Sequence, residues 1–172
     1  MILKIRLYGD PCLTAKSKPV KKVGVAERML IASMFETMRA QKGVGLAAPQ
    51  LGINEQIFVV DTGKDALAAI NPKIIQASGS EVCEEGCLSI PYLQVSIKRA
   101  KDLEVEFIDE NDHLVRAKIS GLLAKVFQHE HDHLQGKLIL DYLPLPERRQ
   151  VLKDIKDGIY TGKMSNYECT RA

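Results

Sequence analysis

The stretch Gln128-His129-Glu130-His131-Asp132-His133-Leu134 decides how the rest of the chain is read. In a helix each residue turns the face by about 100°, so His129 and His133 project side by side and both reach one metal ion. By the same arithmetic Glu130 lies about 80° to one side of their midline and Asp132 about 80° to the other. One acid flanks the ion while the other stands behind its ligands. This is the chemistry of a His-Glu-x-x-His segment, in which two imidazoles hold a divalent cation and the adjacent carboxylate handles the proton of the water that the cation activates. Taken alone, the match is also what a core helix with a few polar residues produces by chance.

The helix is well marked. Ser120 is placed as its N-cap, Leu122, Leu123, Val126 and Phe127 supply apolar residues at helical spacing, and Gly136 ends it. Leu122 and Val126 share the face of the two histidines, so the ion looks onto an apolar wall.

Upstream, Val82-Cys83-Glu84-Glu85-Gly86-Cys87-Leu88-Ser89-Ile90-Pro91 sets two cysteines four apart beside two acids and a glycine. In a strand both sulfurs point one way, although Gly86 speaks against regular geometry. A thiolate is a natural third ligand beside two imidazoles, and spacing alone does not choose between Cys83 and Cys87. Earlier still, Gly43-Val44-Gly45-Leu46-Ala47-Ala48-Pro49-Gln50 is a run of small residues that permits close backbone approach. Its one strong polar group, Gln50, carries an amide able to donate to a carbonyl oxygen. It is not a phosphate loop, since no Lys-Ser/Thr pair follows.

The remaining segments give the frame. Ile2–Leu7 alternates as a short strand before the turn Tyr8–Pro11, and Val25–Gln41 reads as an amphipathic helix with Met29, Leu30, Ser33, Met34 and Met38 on its apolar face. Glu55–Asp61 and Leu67–Ile75 read as buried strands joined by the turn Thr62–Asp65, the second an edge or bulged strand at Asn71-Pro72. Leu103–Ile108 and Leu114–Ile119 form a hairpin through Asp109–Asp112, with His113 solvated. Pro144-Leu145-Pro146 breaks the chain before a short basic helix, Glu147–Asp157.

Composition bounds the class. A chain of 172 residues that is 45% hydrophobic suits one compact domain. A net charge of +2 is too small to make nucleic acid the main partner, and no specific nucleic-acid motif is present. No apolar run approaches the roughly 20 residues that span a bilayer, and Met1–Ile5 lacks the apolar core of a signal peptide. A cytoplasmic protein without membrane contact is expected, its four cysteines free thiols or metal ligands rather than disulfides.

Three segments, Gly43–Gln50, Glu85–Ser89 and Gln128–Leu134, together resemble the three signature motifs of the peptide deformylases, in the same order and at similar separations. The likeness extends from Asp10-Pro11 over most of residues 1–157, taken as one catalytic domain, with 158–172 a polar C-terminal tail. It implies an α+β fold, with mixed and antiparallel strands packed around a central metal-binding helix, an N-terminal helix and a short C-terminal helix. It also makes Cys87 rather than Cys83 the third ligand with His129 and His133. The ion implied is Fe2+ in the cell, replaceable by Zn2+, Ni2+ or Co2+; ligand identity alone does not select iron.

The implied reaction removes the formyl group from N-formylmethionyl nascent peptides and releases formate. Glu130 would be general base and then acid, while the Gln50 side-chain amide and the Leu88 backbone N–H meet the oxyanion. Val44, Gly45, Tyr92, Leu122 and Val126 are candidates for the methionine pocket. Ligand orientation calls for outer partners, for which Arg99 paired with Glu85 and Asp132 are the candidates. The basic C-terminal helix is a candidate ribosome contact, as in relatives. His131 and Gln94 depart from the family pattern: His131 points away from the ion on the wheel, and Gln94 stands where many relatives carry an arginine near the substrate backbone, with Lys125 at the entrance a possible offset. Two rival readings are a zinc endopeptidase, which needs a third ligand downstream where no histidine follows His133, and a metal-stabilised ribosome-binding module without activity.

Overall fold

Alternation of apolar and polar residues builds most of this molecule, and the late helix is inserted against the sheet that results. The computed structural model describes residues 1–158. Helix α1 spans Val25–Ala40 and α2 Gly121–Leu134, with α3 at Leu145–Lys156. The strands are β1 (Gly45–Ala47), β2 (Ile57–Asp61), β3 (Ala66–Ser78), β4 (Glu81–Cys87), β5 (Ile90–Arg99), β6 (Asp102–Ile108) and β7 (Leu114–Ser120). They form a five-stranded sheet in the order β1-β2-β3-β6-β7 and a two-stranded sheet β4-β5. All these pairings are antiparallel; the isolated bridge Lys18–Glu55 is parallel.

Two of three apolar clusters meet at β1 and β2. Phe58, Val60, Val105 and Phe107 pack with Ala124, Val126, Phe127 and Leu134 of α2, and Phe58 and Phe127 meet edge to face at 4.9 Å. On the other side Val59, Ile57 and Leu46 pack with Ile31, Met34 and Met38 of α1. A third cluster joins Leu93, Val95 and Ile97 of β5 to Leu138–Leu140. Because β2 is buried on both faces its sequence is a continuous apolar run, whereas β5 to β7 alternate.

Several expectations need correction. Ile2–Leu7 is no strand: its N–H groups go to scattered partners, Leu3 to Thr37 Oγ1 and Arg6 to the Gln50 carbonyl. The alternation there comes from Leu3 and Ile5 leaning on the core. Met29 is 67% exposed, off the apolar stripe of α1. Ser120 has extended N-cap backbone but its side chain bonds no helix N–H. Of the two alternatives at Asn71-Pro72 the bulge holds, with Asn71 at φ 51° and a register shift between Ile70 and Lys73, and the edge does not, since this strand lies between β2 and β6. Strand β4 stays regular through Gly86, and its register breaks only between Gly86 and Cys87. The short β1 and the ten-residue β5 were not foreseen. α3 begins at Leu145, with proline in its first turn. The tail beyond Gly158 lies outside the described residues. No helix among the described residues is long and apolar enough to cross a membrane.

Candidate metal centre

Helix α2 carries His129 and His133 one turn apart, their rings 5.0 Å between centroids. The end of β4 brings Cys87 to them. One ligand atom from each of Cys87, His129 and His133 lies within 4.8 Å of the others, and Cys87 Sγ is 3.4 Å from His133 Nε2. Cys83 does not join: four strand residues cover about 13 Å, and its sulfur faces Glu85 and the Ile97 carbonyl at 3.6 Å. His131 is likewise outside the group.

The cluster fits a divalent cation of intermediate softness, since one thiolate and two imidazoles leave a fourth position for water or substrate. Burial disfavours charge on His129, but hydrogen bonding to Cys87 and Glu85 and the Glu130 charge outweigh it and hold its pKa well above the ordinary value. His133 is pushed well below, by burial first and then by charge on His129. A ligating ring must offer its lone pair, so a cation held there would displace the His129 proton.

Glu130 is 3% exposed, and its Oε2 is buried with no hydrogen-bond partner. Burial raises its pKa to about 7, against the pull of His129. A carboxyl poised there takes and returns protons near neutrality. Gly45 makes this position possible, because a Cβ there would overlap Glu130 Oε1 and sit 2.7 Å from Val126 Cγ1. Gly45→Ala should therefore displace the carboxylate and lower kcat by about 10²-fold, the cost of roughly ångström misplacement, with circular dichroism unchanged.

Gln50, 2% exposed, has its amide oriented by accepting from Ala47 N at 2.9 Å through Oε1. Its Nε2 then lies 3.6 Å from Cys87 Sγ and 3.2 Å from Ser89 Oγ. Leu88 follows Cys87 at the wall of a cavity of about 850 Å³, lined also by Val44, Gly45, Tyr92, Leu122, Val126, His129 and Glu130. Lys125 and Gln94 line it too, with Lys125 paired to Glu81 at 3.0 Å. Val44, Tyr92 and Leu122 are exposed apolar groups at its rim, and its size suits a peptide end.

Outside the ligands, Glu85 Oε2 meets His129 Nδ1 at 2.9 Å, and Arg99 holds Glu85 through Nε and Nη2 at 2.7 and 2.8 Å. Arg99 Nη1 donates to Asp132 Oδ2 at 2.7 Å. Gln128 ties α2 to Ala100 through both ends of its amide at 3.0 Å. Burial raises the Glu85 pKa, yet bonds from Arg99 and His129 win and bring it from 4.5 to about 2. A depressed carboxyl stabilises the fold above its unfolded pKa, and that contribution is lost as pH falls from 4.5 toward about 2. The full effect is about 3 kcal/mol. Acid unfolding of Arg99→Gln should show a visibly smaller loss across that window.

Tyr142, which accepts from Arg99 Nη1 at 2.8 Å, was not among the residues read from sequence. Strand alternation through Leu93, Val95 and Ile97 does place Arg99 inward, but Tyr142 sits in a short turn with no periodic signal.

Residues 2–149 match the family model described as polypeptide deformylase. A peptide deformylase of Thermotoga neapolitana is 43% identical over 155 residues, 90% of this chain and 94% of that one. The crystal structure of the Thermotoga maritima peptide deformylase superposes with a TM-score of 0.81 at 43% identity, covering 84% of this chain and 99% of that one. That of Legionella pneumophila gives 0.87 at 34% identity, covering 95% and 100%. Neither the endopeptidase nor the inactive-module reading finds support, and the third metal-capable residue is Cys87, upstream of the helix. The chain belongs to the peptide deformylase family, metal-dependent hydrolases that remove the formyl group from the N-terminal formylmethionine of newly made polypeptides and release formate.

Proposed function

We propose that Cys87, His129 and His133 hold one divalent ion, Fe2+ in the cell with Zn2+, Ni2+ or Co2+ as substitutes, and that Glu130 moves the proton of the reaction. The observation that carries this reading is the approach of the three ligand atoms to within 4.8 Å, beside a buried carboxylate oxygen without a partner. An ion bound there supplies Lewis acidity, which draws the pKa of water toward about 7 and polarises the formyl carbonyl.

The chain's own groups do the rest. Glu130 takes the proton of the attacking water and later gives it to the departing amine, which frees formate and an N-terminal methionine. Gln50 Nε2 and the Leu88 N–H meet the charge that develops on the former carbonyl oxygen. Glu85, fixed by Arg99, accepts from His129 Nδ1–H and so turns the other ring nitrogen toward the ion, while Asp132 steadies Arg99.

Val44, Gly45, Tyr92, Leu122 and Val126 form the methionine pocket in this account. Val126 belongs to the core as well, so the cleaner probe is the half-exposed Leu122. Leu122→Ala should raise KM for formyl-Met-Ala-Ser about fivefold, from roughly 1 kcal/mol of lost apolar contact, with metal content unchanged.

Residues 1–157 act as one catalytic domain in the cytoplasm. The exposed cations of α3, Arg149, Lys153 and Lys156, are the proposed ribosome contact; Arg148 is engaged with Asp141 at 2.7 Å. Formate release from formyl-Met-Ala-Ser, assayed anaerobically with Fe2+ because thiolate sites oxidise, tests the reading. An acetylated control should give far less product, and equal turnover of both would overturn it.

A further inference from the structure

The groups that steady His129 end on a residue outside the three motifs. Tyr142 closes the 3-10 turn Ile139–Tyr142. Its hydroxyl donates to Asp132 Oδ2 at 2.6 Å and accepts from Arg99 Nη1 at 2.8 Å. Since Nη1 also donates to that Asp132 oxygen at 2.7 Å, phenol, carboxylate and guanidinium close a ring of three hydrogen bonds. The opposite edge of the guanidinium grips Glu85, and Glu85 meets His129. An unbroken chain of charge-assisted bonds thus runs from the phenol to a metal-facing imidazole.

Arg99 is 5% exposed, so its donors have little access to water and depend on these acceptors. Remove the hydroxyl, and Asp132 loses a donor while Nη1 loses an acceptor. A buried guanidinium with an unmet N–H shifts toward the oxygens that remain. Any such shift moves Glu85, which is held by both of its oxygens, and with it the plane of the His129 ring.

We propose that Tyr142 is a positioning residue for the metal centre, its hydroxyl locking Arg99 and Asp132 in register so that Glu85 keeps His129 turned toward the ion. The inference rests on Cys87, His129 and His133 being the ligands. The Tyr142 ring has separate duties, lying 3.6 Å from Lys137 Nζ and 4.8 Å from Arg99 Cζ. Tyr142→Phe keeps the ring and removes only the hydroxyl.

The experiment measures the Zn2+ dissociation constant by chelator competition, alongside kcat and KM for formyl-Met-Ala-Ser, in the full chain. Wild type comes first: failure to bind zinc would sink the ligand assignment itself, whatever Tyr142 does. Given binding, Tyr142→Phe should weaken zinc affinity about tenfold, the low end for outer partners of metal ligands, with KM within twofold of wild type. The loss should disappear when Tyr142→Phe is made in a Glu85→Gln background, because the hydroxyl acts through Glu85. An unchanged dissociation constant in Tyr142→Phe, or a loss that persists in the Glu85→Gln background, would overturn the proposal. So would a Tyr142→Phe chain that fails to fold, since the hydroxyl would then serve the fold at large.

Discussion

Glu130→Gln should lower kcat for formate release by about 10⁴-fold, the upper range for removing a general acid–base group. The amide is nearly the same size, so the space beside Gly45 stays filled and the helix keeps its packing. What changes is the ability to hold a proton in transit. Wild-type Glu130 is held near a pKa of about 7 by burial, whereas an amide does not titrate at all. Zinc content should stay at one ion per chain, because Glu130 is not among the three grouped ligands. KM should change little, so the loss falls on the chemical step. Turnover within tenfold of wild type would remove Glu130 from the reaction.

Cys87→Ala should have the other large effect, on binding rather than on proton transfer. It leaves two imidazoles from one helix and takes away the one anionic donor in the group. Zinc affinity should fall by more than about 100-fold, beyond the loss expected for outer partners, and formate release should fall with it even at saturating substrate. Cys83→Ala is the matched control: its sulfur faces Glu85 and the Ile97 carbonyl, and both zinc affinity and turnover should stay near wild type. If the two variants lose metal equally, the choice between the cysteines is wrong.

Helix α2 was legible because its apolar residues and both histidines share one period, and a wheel places Glu130 and Asp132 on opposite flanks without further information. The structure keeps that division, with Glu130 on the cavity wall and Asp132 on Arg99. The hairpin of β6 and β7 was legible for a similar reason, since Leu103, Val105 and Phe107 alternate with acids before a polar turn. The choice of Cys87 came from the resemblance and not from spacing, because strand geometry aims both sulfurs alike and only the position of α2 decides which one meets the rings.

The misreadings share a cause. Leu3 and Ile5 alternate with polar neighbours as strand residues do, but they lean on the core while the backbone bonds of Leu3 and Arg6 go to the Thr37 side chain and the Gln50 carbonyl, which no local pattern reveals. β1 is three residues long, too short for periodicity to register, and it exists because Gly45 to Ala47 pair with Phe58 to Val60. Tyr142 stands 43 residues from Arg99 and ten from Asp132, so its role is set by tertiary packing alone.

X-ray absorption at the zinc edge of the zinc-loaded chain asks most directly whether one thiolate from β4 and two rings from α2 hold the same ion. One sulfur at about 2.3 Å and two imidazole nitrogens at about 2.0–2.1 Å are expected, with the sulfur gone in Cys87→Ala. A shell of nitrogen and oxygen alone, or a sulfur that survives Cys87→Ala, would contradict it.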